Sequence, residues 1–100
     1  DMSYLFANSD RTDFSGIEKW DVSNVEDMSY MFSDCENFNQ NISGWDVSKV
    51  TNMAGMFDDC KTFNQLLEYW NVSNVENMSY MFEDCHSFNQ DLSSWDVSKV

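Results

Sequence analysis

The chain of 100 residues contains no proline, three glycines, one histidine and only 5 lysines and arginines. Each shortage removes a class of chemistry. Three scattered glycines build neither a G-x-G-x-x-G turn nor a phosphate-cradling loop. The single histidine, His86, shares a drifting repeat column with Glu36 and Lys61, which marks an exposed position without the partners that a catalytic or metal-binding imidazole needs. Against the 5 basic residues stand 18 acidic ones, giving a net charge of −13 and a pI near 4.1. That balance repels nucleic acid and anionic lipid and favours cations or basic partners. No apolar run approaches the length of a membrane span. With no proline, nothing interrupts a stack of paired strands. There is no signal-peptide pattern, and the chain opens and closes in mid-repeat, as a window on a longer polypeptide would.

What is present is a repeat of 25 residues. The segment 45–69 is preceded by a near copy at 20–44 and followed by another at 70–94, while 1–19 is a degenerate copy and 95–100 begins a further one. A fixed period of this length signals units that bury their apolar faces against one another. Hydrophobic residues make up 42% and aromatics 16%, too much for a disordered acidic tail, so the acidity belongs to the surface of a folded array. The columns that hold one residue type in all three full copies are Trp20, Val22, Ser23, Val25, Met28, Met31, Phe32, Asp34, Cys35, Phe38, Asn39 and Gln40, with their equivalents. Mostly apolar, they are read as the stacking core. Cys35, Cys60 and Cys85 fall one per period, which fits neither zinc pairs nor an even disulfide framework, and reads as a ladder of small buried thiols. A disulfide between neighbouring copies is the lesser alternative, and it leaves the third cysteine over.

Within a copy, Val25, Met28, Phe32 and Cys35 recur at steps of three and four, the pattern of one helical face. Ser23-Asn24-Val25-Glu26 and Ser73-Asn74-Val75-Glu76 read as capping boxes at its start. Asp34, Asp59 and Asp84 are expected beyond the helix end, in a turn. Phe38, Gln40 and Ile42 alternate as a short strand, with Asn39 or Gln40 and their equivalents forming an amide ladder. Each Trp is expected to cover the corner before the next helix, its indole N–H on a carbonyl. The extra residues of the degenerate copy are expected to bulge outward. The fold expected is therefore an α/β, right-handed, leucine-rich-repeat-like solenoid, with parallel strands on one face and short helices on the other; the alternative is an all-β solenoid.

The spacing W-D-V-S-x-V-x-x-M-S-x-M-F-x-x-C-x-x-F-N-Q-x-[IL]-S-x-W resembles the repeat of bacterial and mycoplasma surface lipoproteins, a domain of unknown function grouped with BspA-like leucine-rich-repeat proteins. Met31-Phe32, Cys35, Phe38 and Ile42 are similar to the core segment of BspA-type repeats. The resemblance is close over 20–100 and looser over 1–19. It implies secretion or cell-surface display, a solenoid, and adhesion, and it carries over no active site.

The functional expectation is a non-catalytic, extracellular or cell-surface module for adhesion or protein binding, with a protein, matrix or other surface ligand, or with its own copies as partner. A structural spacer or filament is the alternative, since near-identical copies suit a polymer better than a receptor face. No cofactor is implied. Contact residues are sought where copies differ on the outward strand columns: Asn41, Leu66 and Asp91 in one, Ser43, Glu68 and Ser93 in the next, with Leu66 and Tyr69 as the large apolar intrusions. The columns Asp21/Asp46/Asn71/Asp96 and Asp34/Asp59/Asp84 read first as a solvated ridge or as turn caps. A Ca2+ site is the lesser alternative, because one column offers fewer than the six to eight oxygens that ion takes.

Overall fold

Met28 to Cys35 do not wind into a helix. In the computed structural model, which describes residues 1–100, Tyr30 and Asp34 have φ of 55° and 58°. Gly55 and Asp59, Tyr80 and Asp84, and Tyr4 and Asn8 repeat this left-handed pair in the other copies. A right-handed helix cannot hold a left-handed residue at every fourth position. The backbone closes tight turns instead: the N–H of Met31, Ser33 and Cys35 donate to the carbonyls of Met28, Tyr30 and Phe32 at 3.3, 3.2 and 3.0 Å. The N–H groups between them point out of the copy. Met28, Tyr30, Phe32 and Asp34 donate to Asn52, Ala54, Met56 and Asp58 of the next copy at 3.0, 2.8, 3.0 and 2.8 Å. Met53, Gly55, Phe57 and Asp59 bond the following copy in the same register, as Met2, Tyr4, Phe6 and Asn8 bond Asp27, Ser29, Met31 and Ser33.

The expected strand is also missing, for a different reason. Between 38–43 and 63–68 the pairing runs through side chains. Asn39 Oδ1 accepts the Asn64 N–H at 2.9 Å, and Asn64 Oδ1 accepts the Asn89 N–H at 3.0 Å. Gln65 Nε2 donates to the Asn39 carbonyl at 2.8 Å, and Gln90 Nε2 to Asn64 Oδ1 at 2.9 Å. The amide ladder exists, but it stands where a strand's own carbonyls would have bonded, so no sheet forms. Nor do the capping boxes cap: Ser23 and Ser73 donate their hydroxyls to Asp21 and Asn71, two residues back.

Regular structure is thus confined to a 3-10 turn at Ile17–Lys19 and to isolated parallel bridges Asp27↔Asn52 and Asn52↔Asn77. This overturns the α/β solenoid, its all-β alternative and the leucine-rich-repeat description alike. The body is compact and irregular, 33 × 26 × 19 Å, made of turns pressed together in register.

The core fills the space between turns. Phe32, Phe57 and Phe82 stack with centroids 6.0 and 5.6 Å apart, and Phe38, Phe63 and Phe88 at 5.3 and 5.8 Å. Within a copy the two columns touch, Phe57 and Phe63 at 4.3 Å. The indole N–H of Trp45, Trp70 and Trp95 donate to the carbonyls of Ile17, Ile42 and Leu67 at 2.9, 3.1 and 3.0 Å, as the sequence suggests. The three cysteines are free and stacked, Cys35 and Cys60 buried and Cys85 half-buried, each thiol donating to a carbonyl of the preceding copy: Cys35 to Phe6, Cys60 to Phe32 and Cys85 to Phe57. No buried side-chain N or O lacks a partner. In the degenerate copy, 10–13 stand out in solvent with Arg11 over the Phe6 and Phe14 rings, while Phe14 and Ile17 stay buried.

Candidate functional site

Each regular copy opens with an Asx turn. Asp21, Asp46, Asn71 and Asp96 accept the N–H of the serine two residues on, at 3.0 to 3.1 Å. The serine hydroxyls, and after them these backbone bonds, hold the carboxyls of Asp21, Asp46 and Asp96 below the usual range. The column therefore serves as turn acceptors, which is why an asparagine fits at 71: its amide oxygen accepts the same two bonds.

Just after these turns, residues of four successive copies line an open cleft of about 490 Å³: Asn24, Glu26, Lys49, Thr51, Asn74 and Glu76, with Lys99 at its end. No hydrophobic side chain takes part. Lys49 Nζ donates to Asn24 Oδ1 at 3.0 Å and Lys99 Nζ to Asn74 Oδ1 at 2.9 Å. The cleft floor is tied by the Glu26 carbonyl, which accepts the Thr51 N–H at 2.8 Å, and by the Thr51 carbonyl, which accepts the Glu76 N–H at 2.8 Å. The lone ion pair of the protein lies elsewhere, between Lys61 and Glu36 at 3.3 Å. Two ammonium and two carboxylate groups thus face one cleft without neutralising each other, poised for charge-assisted hydrogen bonds to a ligand of mixed sign.

A second charged region is mainly acidic. Oxygens of Asp58, Asp59 and Asp84 lie within 4.8 Å of one another. Loss of solvent and the neighbouring Glu83, Asp59, Asp34 and Asp84 push the Asp58 carboxyl up; loss of solvent and Asp59 do the same for Asp34. Lys61, hydrogen-bonded to Glu36, is held above the usual lysine range. Three carboxylates alone fall short of a Ca2+ coordination shell.

The residues singled out for contact do not gather at the cleft. Asn41 and Asp91 are exposed and used locally, each accepting the N–H of a serine two residues on at 2.9 Å. Leu66 and Tyr69 are exposed, Tyr69 the most of any large apolar residue at 79%. Glu68 is half-buried, its carbonyl accepting Ser94 Oγ at 3.1 Å. None of the five lines the cleft. Sequence reasoning missed the cleft residues although they carry a signal. The column Asn24, Lys49, Asn74, Lys99 alternates strictly, and Glu26, Thr51, Glu76 alternates beside it, a doubled period inside the 25-residue one.

Burial pushes all three thiols up, Cys85 to about 11, so the nucleophilic thiolate is disfavoured. His86 is exposed.

A model of the family described as "Mycoplasma protein of unknown function, DUF285" matches residues 1–100, and the chain belongs to that family. No curated protein and no solved structure matches it.

Proposed function

We propose that this member of the family is a non-catalytic module, displayed outside the cell or at its surface, that binds an extended polypeptide of mixed charge along its polar cleft. The observation that carries this reading is the set of Lys49, Lys99, Glu26 and Glu76 around one open cleft with no ion pair among them. Equivalent positions two copies apart are separated by about 10 Å if neighbouring turns keep strand-like spacing. An extended peptide covers that distance in roughly three residues. Since Lys49 and Lys99 share one sign and Glu26 and Glu76 the other, a ligand whose like charges recur at every third residue, with the opposite sign between them, matches the cleft better than a uniformly acidic or basic one. The overall charge of −13 excludes polyanions by repulsion. Kinship with BspA-type surface proteins, and the lipoprotein anchoring and adhesion it brings, belongs to the same proposal and rests on the spacing of Met31-Phe32, Cys35, Phe38 and Ile42.

The test uses fluorescence anisotropy with three synthetic peptides: one repeating Lys-Glu-Ser, so that each sign recurs at every third position, one repeating Gln-Gln-Ser, and one all-Lys. The mixed peptide is expected to bind best, and Lys49→Gln with Lys99→Gln to weaken it about tenfold or more, in line with the loss of two charged contacts. Equal binding of all three peptides, or no effect of the paired substitution, overturns the reading. A structural spacer is the second reading, favoured by the near-identity of the copies.

A further inference from the structure

The amide ladder breaks at one interior junction, between the degenerate copy and the regular copy that follows it. Asn64 and Asn89 each donate their N–H to the Oδ1 of the asparagine one copy earlier, at 2.9 and 3.0 Å. For Asn39 that partner is absent. Ser15 stands in the column, one residue after Phe14 as Asn39 is one after Phe38. A serine has no amide oxygen to offer, and the Asn39 N–H has no acceptor in the chain. The second rung is replaced. Gln40 Nε2, whose equivalents reach Asn39 and Asn64, donates to Glu18 Oε2 at 3.0 Å, and Glu18 is itself pinned by the Gly16 N–H at 2.9 Å. The break therefore leaves one donor open.

Beside the break lies a recess of about 200 Å³, lined by Thr12, Asp13, Phe14, Asn37, Asn39 and Gln40. That is the liquid volume of about seven waters, room for one sugar ring. Phe14 is buried and supplies the single apolar surface. The other five side chains offer both donors and acceptors. Asp13 Oδ1 accepts the Ser15 N–H at 2.9 Å, which holds the carboxylate in place, and Asn37 Nδ2 makes only a long bond, 3.4 Å, to the Asp10 carbonyl. No cationic side chain lines the recess, so an anion meets no counter-charge there. The recess shares no residue with the polar cleft.

We propose that this recess binds a neutral sugar carrying an acetamido group. The acetamido carbonyl is chemically the side-chain amide that the regular copies place at this rung. It accepts the Asn39 N–H as Asn39 Oδ1 accepts that of Asn64. Ring hydroxyls donate to the Asp13 carboxylate, an ionised acceptor and so the stronger kind of partner, and accept from the Asn37 amide. The apolar face of the ring lies against Phe14, the usual division of labour in a small-molecule site. A sugar without the acetamido group leaves the rung empty, and an amide without the sugar leaves Asp13 and Asn37 unused.

The test is an NMR titration of the 15N-labelled 100-residue chain. The probes are the methyl glycosides of N-acetylglucosamine, N-acetylgalactosamine and glucose, and N-acetylglutamine amide as a side-chain amide without a sugar. At least one N-acetylated glycoside is expected to saturate with a Kd of about 1 mM, within reach of a titration to about 50 mM. The Asn39 N–H resonance is expected to move most, downfield, as it gains an acceptor. The glucoside and the free amide are expected to bind about tenfold or more weakly, in line with lost hydrogen bonds. Asp13→Ala should weaken the sugar about tenfold by removing the ionised acceptor. Ser15→Asn supplies the missing amide from the chain itself, and should abolish binding without lowering the Tm. Melting of each variant checks that it is folded. The proposal is overturned if neither N-acetylated glycoside gives a saturable shift at Asn39, or if the largest shifts fall at Lys49 and Thr51 instead. Equal binding of the glucoside or of the free amide overturns it too, as does either folded variant binding like the parent.

Discussion

Cys60 Sγ donates to the carbonyl of Phe32 at 2.9 Å, although 28 residues separate them. The same carbonyl accepts the N–H of Cys35 within its own copy. One oxygen thus serves its own turn and the next, and a sulfur that bonds in this way is shielded from reagents. A thiol reagent should label the native chain slowly and reach three groups on unfolding. Cys85, the least buried and with its pKa pushed up to about 11, should react first, yet at pH 8 only about one in a thousand is thiolate. Fast labelling of Cys60 in the folded chain would contradict the geometry.

Phe57 sits in both the stacking and the lateral contacts of the core, against Phe32, Phe63, Phe82 and Trp70 at 6.0, 4.3, 5.6 and 6.3 Å. Phe57→Ala should cost roughly 3–5 kcal/mol through the cavity it opens. In a domain of this length that lowers the Tm by more than about 10 °C. Because each copy touches only its neighbours, the melt should also broaden. Calorimetry of the variant that overlays the parent would refute the packing.

Gly55 occupies the column of Tyr30 and Tyr80, at φ 60°, and a Cβ built on it would overlap the Tyr30 ring. Gly55→Ala therefore carries two penalties, the left-handed backbone at about 1–2 kcal/mol and displacement of the ring. In a Tyr30→Ala background only the first remains. Denaturant melts of the four chains should show Gly55→Ala costing less in the Tyr30→Ala background, a coupling expected for residues in contact. Full additivity would mean that the ring does not lie over Gly55.

The folded state holds the proton of Asp58 more tightly than the unfolded state does, since burial and surrounding carboxylates raise its pKa. The resulting penalty on stability is fully present at neutral pH and is relieved as pH falls through the raised value toward the unfolded one. Asp58→Asn should therefore raise the Tm at pH 7 by roughly 2–4 °C, the size of a modest surface effect. The gain should vanish as the parent's carboxyl takes up its proton in acid. The Asx-turn carboxylates behave oppositely: Asp46, held low by Ser48, contributes stability that is lost as pH falls through its lowered pKa. Asp46→Asn should keep the turn, as Asn71 does, and so remove that acid sensitivity, whereas Asp46→Ala should lower the Tm at neutral pH. Identical pH profiles for the parent, Asp58→Asn and Asp46→Asn would rule out these electrostatics.

The stacked core was legible in the sequence because a residue that packs against its own equivalents repeats: Phe32, Cys35, Phe38 and Trp45 lie where the columns suggest. The secondary structure was not. Steps of three and four from Val25 to Cys35 suit a helix, but a run of overlapping four-residue turns buries the same residues. Gly55 in a column otherwise filled by tyrosine was the available hint of positive φ, with Asp34, Asp59 and Asp84 four residues on. The strand failed because Asn39 has an acceptor in its side chain as well as its backbone, and periodicity does not say which one the neighbour takes. The cleft was hidden by attention to unlike residues, when Asn24, Lys49, Asn74 and Lys99 differ in a regular way.

The one-way donation of Met28, Tyr30, Phe32 and Asp34, repeated at each junction, has an electrical result. In an ordinary sheet strand dipoles largely cancel. Here twelve such N–H groups aim toward later copies, and four backbone donations, from Thr51, Asn52, Glu76 and Asn77, run back. Peptide dipoles therefore add along the stack as they do along a helix. The molecule has a polar axis set by its backbone alone, unaffected by which side chains decorate it, and each further turn lengthens that axis without reversing it.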